Sequence, residues 1–71
     1  MSAILKISLK SARVNANYTQ NQVAKILKIS ERTLQKWENG ETFPDAVKIA
    51  ELCNLYGVHY DNINFLPNNS L

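Results

Sequence analysis

Apolar residues recur along this chain at helical spacing, and four or five short helices follow from that period. Leu9, Ala12 and Ala16 stand at i, i+3 and i+7, which predicts a first helix over about 8–16. Asn17 tolerates the left-handed conformation that closes a helix. Thr19 then reads as an N-cap, with Gln22 three residues on completing a Thr-x-x-Gln capping box, and Tyr18 and Val23 in the two staple positions. Val23, Ala24, Ile26 and Leu27 carry the second helix to about Leu27. Ser30 opens a third, flanked by Ile29 and Leu34 as another staple pair. This third helix should run from Glu31 to Glu38, bury Leu34 and Trp37, and end at Asn39-Gly40. Pro44 and Asp45 start a fourth, whose Ile49, Leu52, Cys53 and Tyr56 line one face before Gly57 stops it. A fifth helical turn is expected over 60–64, with Ile63 inward and His59 as its cap. Residues 1–7 alternate loosely and read either as a frayed strand or as a tail. The expected fold class is all-α.

Two helices joined by a three-residue turn make the helix-turn-helix geometry. Ala24 is small where the second helix must approach the third. Val23, Leu27, Ile29, Leu34 and Trp37 supply apolar contacts to fix the angle between them. That leaves Arg32, Thr33, Gln35 and Lys36 facing outward on the third helix, with Glu31 in its first turn. Arg and Lys recognise guanine in the major groove and Gln recognises adenine, so this face has the chemistry of a base reader. Trp37 shares helical spacing with Leu34 and is expected in the core instead of on a base-stacking surface.

Composition narrows the function further. A chain of 71 residues allows one small domain, with little room to enclose a substrate. No residues assemble a nucleophile, base and oxyanion site, and no Gly-rich phosphate loop is present, so an enzyme is not expected. No apolar run reaches the roughly 18 residues of a membrane span, and no signal-peptide pattern is seen; a cytoplasmic protein is expected. The lone Cys53 has no disulfide partner and reads as a small core residue. With His59 it is too little for a four-ligand metal site, so neither metal nor cofactor is expected. Net charge is +2, but unevenly spread. Residues 1–36 hold seven basic groups and one acid, Glu31, whereas residues 37–71 hold Lys48 against five acids. A basic half joined to an acidic half fits either a polyanion partner on one side or lysines that merely solvate a helical surface.

Leu9–Lys10–Ser11–Ala12–Arg13, Tyr18–Thr19–Gln20, Val23–Ala24, Ile29–Ser30–Glu31–Arg32–Thr33–Leu34 and Trp37–Glu38–Asn39–Gly40 together resemble the Cro/phage-repressor helix-turn-helix family, also called XRE-like. The resemblance covers about residues 9–66. It implies a compact five-helix, lambda-repressor-like DNA-binding domain over 8–66, with tails at 1–7 and 67–71. The small chain resembles a Cro-type bacterial or phage regulator more than a repressor with a second domain. By the same resemblance, Arg32, Thr33, Gln35 and Lys36 match base-reading positions, with Gln35 near enough to serve a phosphate instead. Gln20 matches a phosphate-binding Gln, and Asn39 a backbone-contacting position. Arg13 and Glu38 match a structural ion pair. The implied partners are duplex operator DNA and a second copy of the chain. Phe65 and Leu66 read either as part of an apolar dimer patch or as tail residues folded back onto the core.

Three departures from the family pattern stand out. Lys28 occupies the turn position where Gly is common; it should be strained if left-handed, and would repay this near a phosphate. Glu31 stands where a neutral Gln is common, and Glu41 replaces a basic residue after the Asn-Gly turn. These two acids support an alternative function, an antirepressor or modulator that binds the Arg and Lys side chains of a partner repressor protein.

Overall fold

The computed structural model describes residues 6–65. Four α-helices follow one another: α1 Leu9–Asn15, α2 Gln20–Leu27, α3 Glu31–Glu38 and α4 Ala46–Tyr56. Each starts on a side chain that accepts a hydrogen bond from an otherwise orphaned backbone N–H. Ser8 accepts from Ser11, Thr19 from Gln22, Ser30 from Thr33 and Asp45 from Lys48. At Thr19 the capping box is reciprocal, because the Gln22 side chain accepts from the Thr19 N–H at 2.9 Å. Left-handed residues close α2 and α4: Lys28 at φ 61° and Gly57 at φ 68°.

The expected fifth helix is reduced to a single 3₁₀ turn, Tyr60–Asn62. His59 stands at its N-cap position but makes no side-chain capping bond. Helix cannot continue past Asn62, because Ile63 must be extended to pair with another part of the chain. Ile63–Asn64 (β2) lies parallel to Ile7–Ser8 (β1), in register Ile7 with Ile63 and Ser8 with Asn64. The all-α expectation therefore needs one amendment: a two-residue parallel ladder ties the start of α1 to the segment after the 3₁₀ turn. Of the leading segment, Ile7 is strand, whereas residues 1–5 lie outside the described residues, as do 66–71 with Leu66 and the expected C-terminal tail.

The core gathers one to three side chains from each α-helix and from β2. Val23, Leu34 and Leu52 are fully buried, and Leu9, Ala12, Leu27, Trp37, Tyr56 and Ile63 close around them. Ala24 is also buried, as a close α2–α3 approach requires. Cys53 is only half-buried, and burial pushes its thiol pKa upward.

The turn between α2 and α3 holds a non-glycine residue in left-handed backbone. Its N–H reaches Lys25 O at 3.3 Å, and the next N–H, from Ile29, reaches Ala24 O at 2.9 Å. A second clamp comes from α4, where Lys48 Nζ donates to the Leu27 carbonyl at 2.8 Å and satisfies a free C-terminal acceptor of α2. With the turn so fixed, Lys28 must accept its conformation. Lys28→Gly is expected to stabilise the domain by about 0.5–1 kcal/mol, the relief of left-handed strain less glycine's greater unfolded-state entropy. Thermal denaturation would register this as a Tm rise of roughly 2–8 °C.

Candidate nucleic-acid interface

Helix α3 has two opposite stripes. Leu34 and Trp37 point inward, and Leu34 is completely inaccessible to solvent. On the far side, Arg32, Gln35, Lys36 and Asn39 stand at i, i+3, i+4 and i+7 and therefore form one face. Arg32, Gln35 and Asn39 are exposed and Lys36 is half-buried. Between them, with Glu41, lies a shallow polar hollow of about 80 Å³. Two cations, a carboxamide and a cap residue on one helical face make a set that suits the O6 and N7 acceptors of guanine, and the carboxamide also matches the N6 donor and N7 acceptor of adenine.

The remaining predicted site residues divide. Thr33 sits on the flank of α3, half-buried, and its hydroxyl lies 2.9 Å from that of Ser30 within the cap. Asn39 is the C-cap residue of α3, and its Nδ2 donates to Glu41 at 3.4 Å. Glu41 in turn donates its backbone N–H to Lys36 O at 2.9 Å, which keeps the turn after α3 tight against the helix. Lys28 is exposed at the α2–α3 turn.

A third stripe of α3, Glu31, Gln35 and Glu38 at i, i+4 and i+7, forms a polar seam with the first two residues of α2. Asn21 Nδ2 donates to Glu31 Oε2 at 2.7 Å. Gln35 Nε2 donates to Gln20 Oε1 at 3.3 Å, and Gln20 Nε2 donates to Glu38 Oε1 at 3.0 Å. Gln20 is thus half-buried and engaged at both ends of its amide, with one Nε2 hydrogen left uncommitted. Residue types alone do not reveal this seam. The 31/35/38 spacing was its one sequence signal, and the partners lie 10–18 positions away.

Glu38 extends the seam inward to Arg13 on α1. Arg13 Nε donates to Glu38 Oε2 at 2.7 Å and Nη2 to Oε1 at 3.3 Å, while Nη1 donates to the Tyr18 carbonyl at 2.9 Å. Side-chain exposures of 10% for Arg13 and 3% for Glu38 make this a buried, fork-like pair. One of the seven cations in the basic half is therefore spent internally. Tyr56 packs nearby, its hydroxyl buried without a hydrogen-bond partner among the described residues. Burial first, and the Glu38 charge second, push the Tyr56 pKa well above the usual tyrosine range, against a smaller opposing pull from Arg13. The phenol stays neutral.

A helix-turn-helix domain family model matches residues 7–64, a span from β1 to β2 that includes every helix described above. The chain belongs to the XRE-like helix-turn-helix family. Among curated relatives, this helix-turn-helix chain is 40% identical over 53 residues to the HTH-type transcriptional regulator ImmR of Bacillus subtilis (strain 168), covering 75% of this chain and 42% of that protein. It is also 35% identical over 51 residues to the type II methyltransferase M1.ScrFI of Lactococcus lactis subsp. cremoris, covering 68% of this chain but 13% of that protein. The helix-turn-helix chain thus spans less than half the length of these two relatives. No solved structure matches it significantly. Among its described residues no helix is long and apolar enough to cross a membrane, and no three His, Cys, Asp or Glu residues cluster to hold a metal ion.

Proposed function

We propose that this chain is a Cro-like transcriptional regulator, bacterial or phage, that binds duplex operator DNA with α3 in the major groove. The observation that carries the reading is the outward stripe Arg32–Gln35–Lys36–Asn39, directly opposite the buried Leu34–Trp37 stripe. Arg32, Gln35 and Lys36 take base edges, with Thr33 a secondary reader because its hydroxyl is shared with Ser30. Gln20, Lys28 and Asn39 take phosphates, with Gln20 aided by the positive end of the α2 dipole. The family match and the transcriptional regulator among the relatives support this assignment.

Operator binding by two copies is part of the proposal. Phe43 and Tyr60 are more than half exposed, and both line a groove of about 330 Å³ with Pro44, Ile49 and Phe65. Tyr60 and Phe65 stack with ring centroids 5.6 Å apart. A second copy on this aromatic groove is the occupant that suits half-site reading, because a two-fold pair brings two α3 helices to successive major grooves about one turn apart.

A salt titration of duplex binding tests the reading. The logarithm of affinity should fall linearly with the logarithm of salt concentration, and Lys28→Gly should reduce the slope by about one per bound copy. The competing function, a modulator whose Glu31 and Glu41 meet the cations of a partner repressor, predicts salt-insensitive or absent duplex binding together with a DNA-independent protein complex. That outcome would replace operator binding. Both acids already accept a hydrogen bond from a neighbouring amide, Glu31 from Asn21 and Glu41 from Asn39, so one oxygen of each is engaged before any partner cation arrives.

A further inference from the structure

We infer that Glu31 is a specificity-determining residue that reads an amino group on a base, with cytosine N4 as its major-groove donor, and that Asn21 is its positioning residue. The inference rests on the operator-binding reading and deepens it. An acid at the leading end of a groove-facing helix is at first sight a handicap, since a carboxylate repels phosphate and cannot donate to the acceptors of guanine or thymine. Three observations change that picture. Among the described residues no Lys or Arg lies within ion-pair distance of Glu31, so its charge is not committed to a structural bridge. Its side chain is nevertheless held, because Asn21 on α2 donates to Oε2 at 2.7 Å. The residue is exposed, and it begins the same seam stripe as Gln35, which borders the outward face.

A carboxylate has about four lone-pair sites, and one amide donor from Asn21 occupies a single one. The other oxygen, Oε1, keeps its full accepting capacity. Of the groove edges, cytosine offers only a donor at N4, whereas adenine pairs its N6 donor with the N7 acceptor that a carboxylate would face unfavourably. A neutral Gln at the same place meets N6 and N7 of adenine together. Glu at this position therefore favours cytosine where a Gln side chain would favour adenine, and Asn21 supplies the second point of attachment that keeps the carboxylate oriented.

The test is selection and competition binding with purified protein on duplexes randomised over about two helical turns (~20 base pairs), so that both half-sites are sampled. Wild type, Glu31→Gln and Asn21→Ala are compared, with thermal denaturation run on each. Glu31→Gln is expected to exchange cytosine for adenine at one position of each half-site, by roughly ten- to a hundredfold in relative affinity, and to leave the other positions ranked as before. Asn21→Ala should shrink the cytosine preference at that same position without introducing a new one. A purely structural role predicts altered thermal stability with an unchanged base ranking. If Glu31→Gln tightens binding to all duplexes alike, the acid is only a repulsive charge and the inference is overturned while operator binding stands. If wild type binds no duplex, operator binding and this inference fall together.

Discussion

Glu38→Ala is expected to cost about 3–5 kcal/mol of folding stability. The substitution leaves Arg13 with its side chain one-tenth exposed and two of its guanidinium donors without an acceptor. Only the bond from Nη1 to the Tyr18 carbonyl at 2.9 Å remains. The amide of Gln20 loses its acceptor as well. Breaking one side of a buried pair costs far more than the pair itself contributes, because the surviving charge has already lost its water. Against the roughly 4–11 kcal/mol expected for a domain this size, the loss is a large fraction of the whole. Circular dichroism on heating should show Tm lowered by roughly 12–40 °C. Arg13→Met combined with Glu38→Leu should recover most of that loss, since both charges then leave the interior together. A Glu38→Ala loss below about 1 kcal/mol would instead describe a solvent-screened surface pair, and the buried pair would no longer explain how α1 is held to α3.

The helices were legible in the sequence because capping and apolar spacing act over three or four residues. Thr19-x-x-Gln22, Ser30 before Glu31, and the Leu34–Trp37 step each specify a local geometry that the structure realises. The outward stripe on α3 follows from the inward one, as one face of a helix defines the other. What the sequence hid was contact over longer separations. The pairing of Ile7 with Ile63 involves two residues on each side, too short to produce an alternating pattern, yet it converts the expected fifth helix into one 3₁₀ turn. Lys48 reads as a solvated lysine of α4, but its ammonium closes α2 through the Leu27 carbonyl and also meets Glu51 at 3.2 Å. In the same way Gln20 matches a phosphate-binding position in the sequence, and nothing local shows that the fold brings it between Gln35 and Glu38. Asn21 carried no sequence signal of its own. Its importance depends on the crossing of α2 and α3, which sets its amide 2.7 Å from Glu31.

Arg32→Ala should reduce operator affinity more than any single phosphate-directed substitution, and the reason lies in how a two-copy complex counts losses. Arg32 is exposed at the start of the outward stripe, and its charge is not engaged in an ion pair among the described residues. A bidentate contact from such a guanidinium to guanine O6 and N7 discriminates against other bases by about 1–3 kcal/mol. A dimer on a two-fold operator makes that contact twice, so the combined loss is about 2–6 kcal/mol, or roughly 30- to 10⁴-fold in affinity. Nonspecific duplexes offer no such base contact, and their binding should weaken only by one lost cation per copy. Gln20→Ala should behave in the opposite way, weakening many sequences to a similar degree, with a stability cost from the donor lost at Glu38 Oε1, which keeps only Arg13 Nη2, and from the freed Gln35. Measuring both variants on one selected operator and one unrelated duplex, at two salt concentrations, separates the two roles. Equal losses on both duplexes for Arg32→Ala would make Arg32 a phosphate contact, and base reading would then rest with the other readers, Glu31, Thr33, Gln35 and Lys36.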